Sequence, residues 1–157
     1  MLKARRPLWI GTAGLFCLAL LFGLYRASFV SIDPDPVDFD RVGIGKGRYL
    51  ICPADLCASR DEETALLTIS AERMTQKLRA AALAMPHMRE VALPVANQLR
   101  FIETSPMLGM ERVIDVRIVP RSSGASTFAM LGRPANALLD FGATQRRIRE
   151  LTEALAR

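Results

Sequence analysis

The stretch RVIDVRIV, residues 112–119, decides the fold class. Ile114, Val116 and Ile118 alternate with Asp115 and Arg117, so an extended chain here has one apolar face and one polar face, the period-two signature of a half-buried strand. Glu90 to Pro94, Gln98 to Thr104 and Gly124 to Leu131 read as further strands around it. Turn chemistry at Ala96-Asn97, Ser105 to Gly109 and Pro120 to Gly124 separates them. Strands joined this closely favour an antiparallel meander whose buried face is covered by helices.

Two segments supply the helices. Ser70 is a suitable N-cap, and after it Met74, Leu78, Ala81, Ala82 and Met85 recur on one helical stripe until Pro86 stops the helix. From about Thr144, Ile148, Leu151 and Leu155 form a second stripe. Arg146/Glu150, Arg149/Glu153 and Glu153/Arg157 are spaced as i,i+4 pairs on its solvated side. The expectation is an α+β domain with an antiparallel sheet of about four strands packed by two helices.

At the other end of the chain, Leu8 to Tyr25 (LWIGTAGLFCLALLFGLY) carries no charge. As a helix it spans roughly 27 Å, near the roughly 30 Å hydrocarbon thickness of a bilayer. Lys3, Arg5 and Arg6 precede it, and Trp9 and Tyr25 mark its ends, which favours a cytoplasmic N-terminus. A cleaved secretory signal is the rival reading, but Arg26 and Phe29 occupy the region where cleavage needs small side chains. Phe16 likewise argues against lipoprotein processing at Cys17. The expectation is a signal anchor: an N-terminal transmembrane helix in the inner (plasma) membrane, integral and single-pass, with the C-terminal domain in the periplasm. Residues 1–30 would be the cytoplasmic tip and anchor, 31–47 an extended tether, and 48–157 the extracytoplasmic domain.

The net charge of +5 must be read against that arrangement. Lys3, Arg5, Arg6 and Arg26 flank the apolar run and no acidic residue precedes Asp33, so most of the excess belongs to the flank. The domain lacks the basic footprint of a nucleic-acid module, and nucleic acid is excluded as a partner. In the tether, SIDPDPVDFDRVGIGKG, the spacing of Asp33, Asp35, Asp38 and Asp40 lacks the central glycine and terminal glutamate of a calcium loop. A solvated spacer stiffened by Pro34 and Pro36 is the simpler reading.

Cys52 and Cys57 could form a local disulfide in an oxidising compartment or remain as two thiols. Their spacing is not that of a redox pair, and a zinc site would want further ligands where only His87 and Cys17 are left. A Ser-His-Asp triad would have to use His87. Gly124 to Phe128 lacks the second glycine of a nucleophile elbow, and GIGKGR (Gly43 to Arg48) lacks Walker spacing. Glu103, Glu111 and Asp115 could converge as acid and base across neighbouring strands. None of these assigns a catalytic, cofactor-binding or metal-binding residue.

The order of a Cys-Ser element (Cys57, Ser59), an amphipathic helix, strands broken by a turn at Leu108, Gly109 and Met110, and a final step Asp140, Phe141, Gly142 into an arginine helix at Arg146 resembles domain-of-unknown-function family 1499. The resemblance runs from about Tyr49 to Leu155 and is sharpest in LDFGATQRRIREL. The family tends to place paired acidic residues after the Leu-Gly turn, where this chain has Glu111, Arg112 and Val113. It has a serine- and arginine-rich strand end where GRPANAL leaves only Arg133, and an asparagine where Thr144 stands. If those positions form a common site, its polar members here are Asp140, Thr144, Arg146 and Arg133. The resemblance implies no assigned activity. The expected role is therefore a binding or scaffolding domain facing the cell envelope, with an envelope protein or lipid as partner. The alternative is an envelope hydrolase or lipid-modifying enzyme using Asp140, Arg146 and the sheet carboxylates, which would then have to share one cleft.

Overall fold

A computed structural model describes residues 18–19, 22–23, 34–45, 47–106 and 109–156. The elements run β1 (Tyr49–Cys52), β2 (Glu62–Glu63), α1 (Ala71–Leu83), β3 (Met88–Val91), β4 (Gln98–Thr104), β5 (Glu111–Pro120), β6 (Ser126–Pro134) and α2 (Ala143–Ala156). Ser70 caps α1 by accepting from the Arg73 amide at 3.3 Å. Lys77 on α1 donates to the Leu155 carbonyl at 2.9 Å, tying the two helices together. Arg79 grips Glu90 of β3 through two hydrogen bonds of 2.7 and 2.8 Å.

The strands form one six-stranded sheet in the order β2-β1-β6-β5-β4-β3. β3 to β6 are an antiparallel meander, β1 pairs antiparallel with β6, and β2 pairs parallel with β1. Both helices cover one face. Phe101, Ile114, Val116, Ile118, Phe128 and Met130 pack there against Met74, Leu78 and Ala82 of α1 and Ile148, Leu151 and Leu155 of α2. On the other face Leu50, Ala129 and Leu131 lie beneath Val37, Phe39 and the Cys52–Cys57 loop. β6 is thus covered on both sides, which is why TFAML reads as a continuous apolar run and not as an alternation.

These findings correct the expected architecture. The sheet has six strands and is mixed, not about four and antiparallel. β1 is a four-residue apolar run with no period to read, and β2 is a pair of exposed glutamates whose strand character comes only from its register against Ile51 and Cys52. The expected transmembrane helix is also overturned: among the described residues no helix is long and apolar enough to cross a membrane. With it go the integral single-pass membrane assignment, the inner-membrane location and the cytoplasmic-to-periplasmic topology. Hydropathy reports only a preference to leave water, whereas crossing a bilayer needs a continuous apolar helix of about 20 residues. Most of Leu8 to Tyr25, including Cys17, lies outside the described residues, as does Leu108 of the Leu-Gly turn.

Residues 34–42, within the stretch read as a solvated tether, lie as a strap on the open face of the sheet. Val37 and Phe39 are buried. Arg100 donates to the Pro34 and Asp35 carbonyls at 3.0 and 2.8 Å, and Gln98 to the Val37 carbonyl at 3.1 Å.

α2 reaches the sheet at Gly132. A Cβ there would stand 2.2 Å from Thr144 Cγ2 and 2.8 Å from Ile148 Cδ1, so the helix can sit this low only over a residue without a side chain. Gly132→Ala is expected to destabilise the protein by about 1–3 kcal/mol through overpacking. Gly124→Ala, at a position with nothing within 4 Å, should stay within about 0.5 kcal/mol. Urea-unfolding midpoints of the two variants check the pair.

Candidate functional site

The head of α2 is built from a short polar loop. Asn136 Oδ1 accepts from the Leu138 and Leu139 amides at 3.0 and 3.3 Å, turning the chain after β6. Asp140 then caps the helix: its Oδ2 accepts from the Thr144 amide at 3.0 Å, and its Oδ1 from the Thr144 hydroxyl at 2.7 Å. Between cap and helix, Phe141 and Gly142 both take left-handed backbone conformations, with φ of 46° and 73°. For a bulky aromatic residue that conformation costs on the order of 1 kcal/mol or more. Arg146 Nη1 donates to the Phe141 carbonyl at 3.0 Å and helps to hold the turn.

Arg112, at the start of β5, joins this loop to the sheet. Its guanidinium donates to Thr144 Oγ1 at 2.8 Å, to Asp140 Oδ1 at 3.0 Å and to Glu103 Oε2 on β4. Arg147 of α2 closes the cluster by donating to Glu103 Oε1 from Nε, at 3.1 Å, and from Nη2. Burial alone pushes the Glu103 carboxyl up. The hydrogen bonds and positive charge of Arg147 and Arg112 outweigh burial and hold it below the usual carboxylate range. A carboxylate kept ionised by two guanidiniums is poorly suited to donating or taking protons near neutral pH.

Beside the cluster lies a concavity of about 250 Å³, lined by Ser105, Met110, Arg112, Asn136, Phe141 and Arg146 among others. Of the lining residues Phe141 is 78% exposed and Arg146 is exposed as well; Leu138, in the loop before the helix, is 79% exposed.

The polar set expected from the sequence is divided. Asp140, Thr144 and Arg146 come together at the head of α2, with Arg112 as the centre that the sequence reading did not single out. Arg133 sits on the opposite face of the sheet, because its neighbour Gly132 faces α2 and side chains alternate along a strand. There Arg133 Nη2 donates to Asp115 Oδ2 at 2.6 Å. The three carboxylates do not converge: Glu103 is on the helix side, Asp115 is buried on the far side, and Glu111 pairs at the surface with Arg89 at 3.0 Å. Glu103 and Arg112 are partners because they are opposed in the β4–β5 register, a relation invisible without the pairing.

The remaining candidates resolve simply. Cys52 and Cys57 are joined by a disulfide with their Cα atoms 6.0 Å apart. His87 is exposed in the turn after α1 at φ 61°, and the Ser126 hydroxyl donates to the Ile69 carbonyl at 2.7 Å. Among the described residues no group of three or more His, Cys, Asp or Glu side chains is placed to hold a metal ion. The α2 arginines also find partners other than those expected: Arg147 bonds Glu150, and Arg149 bonds Glu62 while lying 6.0 Å from the Tyr49 ring centre. Glu150 thus pairs at i,i+3 and Arg149 across to β2, in place of i,i+4 pairs whose gain is only about 0.3–0.5 kcal/mol.

Glu103→Gln would leave two partly buried guanidiniums short of a carboxylate. We expect a loss of about 2 kcal/mol at pH 7, below the usual cost of breaking a fully buried pair because Arg147 keeps some solvent contact. A carboxyl held low in the folded state contributes stability above its ordinary pKa of about 4.3, and that contribution disappears as pH falls through the folded value. The gap between wild type and Glu103→Gln should therefore narrow on acidification from pH 7 to about pH 3.5, as followed by urea midpoints.

No family model matches this chain, and no curated protein does. Among solved structures, the crystal structure of an uncharacterized protein from Bacillus thuringiensis superposes with a TM-score of 0.33 at 10% identity, over 60% of this chain and 96% of that one, a likeness too slight to bear on activity.

Proposed function

We propose that this domain acts by binding, and that its recognition surface is the concavity at the head of α2 together with Phe141 and Arg146 on its lining and the exposed Leu138 in the preceding loop. The fitting ligand is a protein segment that offers an apolar side chain next to a carboxylate. One observation carries the reading: Phe141 is a large aromatic side chain fixed in a left-handed conformation and left 78% exposed. Folding alone gains little from such a side chain, whereas exposed aromatic anchors beside an arginine are the residue types that dominate binding energy at interfaces. Apart from the bond to the Phe141 carbonyl, the guanidinium of Arg146 has no partner among the described residues. It is thus available for a charge-assisted pair with a carboxylate.

The ion cluster has a supporting role in this reading. Asp140 is fixed by Thr144 and Arg112, and Asp140 immediately precedes Phe141, so the cluster anchors the backbone turn from which the aromatic ring projects. The same reading takes the chain as a member of domain-of-unknown-function family 1499. What supports it is that Asp140, Gly142 and Arg146, three of the residues carrying the resemblance, share the single task of shaping this turn.

Selection of a random-peptide display library on the intact protein tests the proposal. Enriched peptides should pair an acidic residue with an aromatic or aliphatic one. Their affinity should fall about tenfold or more, or about 1.4 kcal/mol, in Phe141→Ala and in Arg146→Glu, each measured on protein that circular dichroism shows to be fully folded. Enriched peptides indifferent to both substitutions would refute it.

A further inference from the structure

On the far face of the sheet, Asp115 is bracketed by two arginines. Arg100 Nε donates to its Oδ1 and Arg133 Nη2 to its Oδ2, each at 2.6 Å. The side chains of Asp115 and Arg100 are 1% and 3% exposed and that of Arg133 is 16% exposed. Asp115 thus divides its two carboxylate oxygens between two guanidiniums, so that Arg133 holds only one of them. The two arginines differ in how they are satisfied. Arg100 also donates to the Pro34 and Asp35 carbonyls of the strap. Arg133 has no such support: its Nε is buried and finds no hydrogen-bond partner among the described residues. A buried cation with unmet donors is costly, and a hydrogen-bonded counter-anion is what relieves it.

Arg133 lines a concavity of about 330 Å³ between the strap and the sheet, and Arg41 and Arg48 line the same space. Asp35 and Asp38 are on its wall as well, so the charge of the lining is a balance and not a uniform field. Asp38 is already engaged, at 3.5 Å from Arg41 and 3.2 Å from the Asp40 amide. The Arg48 guanidinium has no partner among the described residues, and in all three arginines and two aspartates line the space. Guanidiniums present paired donors matched to the oxygens of phosphate and carboxylate groups.

From this we infer that the cavity between the strap and β6 is a binding site for a compact oxyanion, held by Arg133 at its floor and Arg48 at its mouth. It is separate from the surface at the head of α2, on the other face of the sheet, and does not depend on it.

The test follows the arginine Nε–Hε resonances of the full-length protein by NMR during titration with inorganic phosphate and, separately, with acetate, at ionic strength matched with sodium chloride. The expected result is a saturable shift of the Arg133 resonance at millimolar anion or below, weakened about fivefold or more in Arg48→Ala, whose exposed position leaves the unfolding midpoint unchanged. Response to phosphate alone assigns a phosphate group, response to acetate alone a carboxylate, and response to both an oxyanion site selected by charge and shape. Shifts that merely follow the chloride control, or that persist unweakened in Arg48→Ala, would overturn the inference.

Discussion

The close seating of α2 over Gly132 is the constraint on which the rest of this structure depends. A missing side chain on β6 lets Thr144 and Ile148 descend onto the sheet. That descent brings the Thr144 hydroxyl within 2.8 Å of Arg112 Nε and 2.7 Å of Asp140 Oδ1. Asp140 is thereby fixed as the helix cap, and the residue after it is forced through the left-handed turn that exposes Phe141. Packing of two methyl-bearing side chains on a bare strand thus determines where an aromatic ring stands at the surface.

Strand parity performs the second division of labour. Along β5, Arg112 faces the helices while Asp115 faces the strap, and their partners on β4, Glu103 and Arg100, follow because the two strands are in register. Each face consequently has its own ion cluster. Such clusters are weak sources of net stability, since desolvation cancels most of the Coulomb gain. They are strong arbiters of register, because a slip of one residue would send every charge to the face where its partner is absent. The apolar residues between them, Phe101, Ile114 and Met130, supply the stabilising burial.

The readable and unreadable parts of this chain separate along the same physical line. The alternation in RVIDVRIV, the Ser70 cap and the Met74–Leu78–Ala82 stripe are local patterns, and the structure has a strand and a helix there. β1 and β2 were missed because four apolar residues and two glutamates acquire strand geometry only by pairing with each other and with β6. Asp140, Thr144 and Arg146 were legible as neighbours because they lie within one turn of helix and its cap. The family resemblance groups Arg133 with them, and strand parity places it on the other face.

What the residue order alone determined is the class of each local element: which segments alternate, which repeat at helical spacing, and where prolines, glycines and capping side chains interrupt them. These follow from backbone geometry and the burial preference of each side chain within a few residues. The tertiary structure alone decided that the strap lies against the sheet, that Arg112 and Glu103 are partners, and that a helix could come close enough to need Gly132. Those outcomes depend on contacts between residues distant in sequence, whose free energy is realised only when the whole sheet has closed.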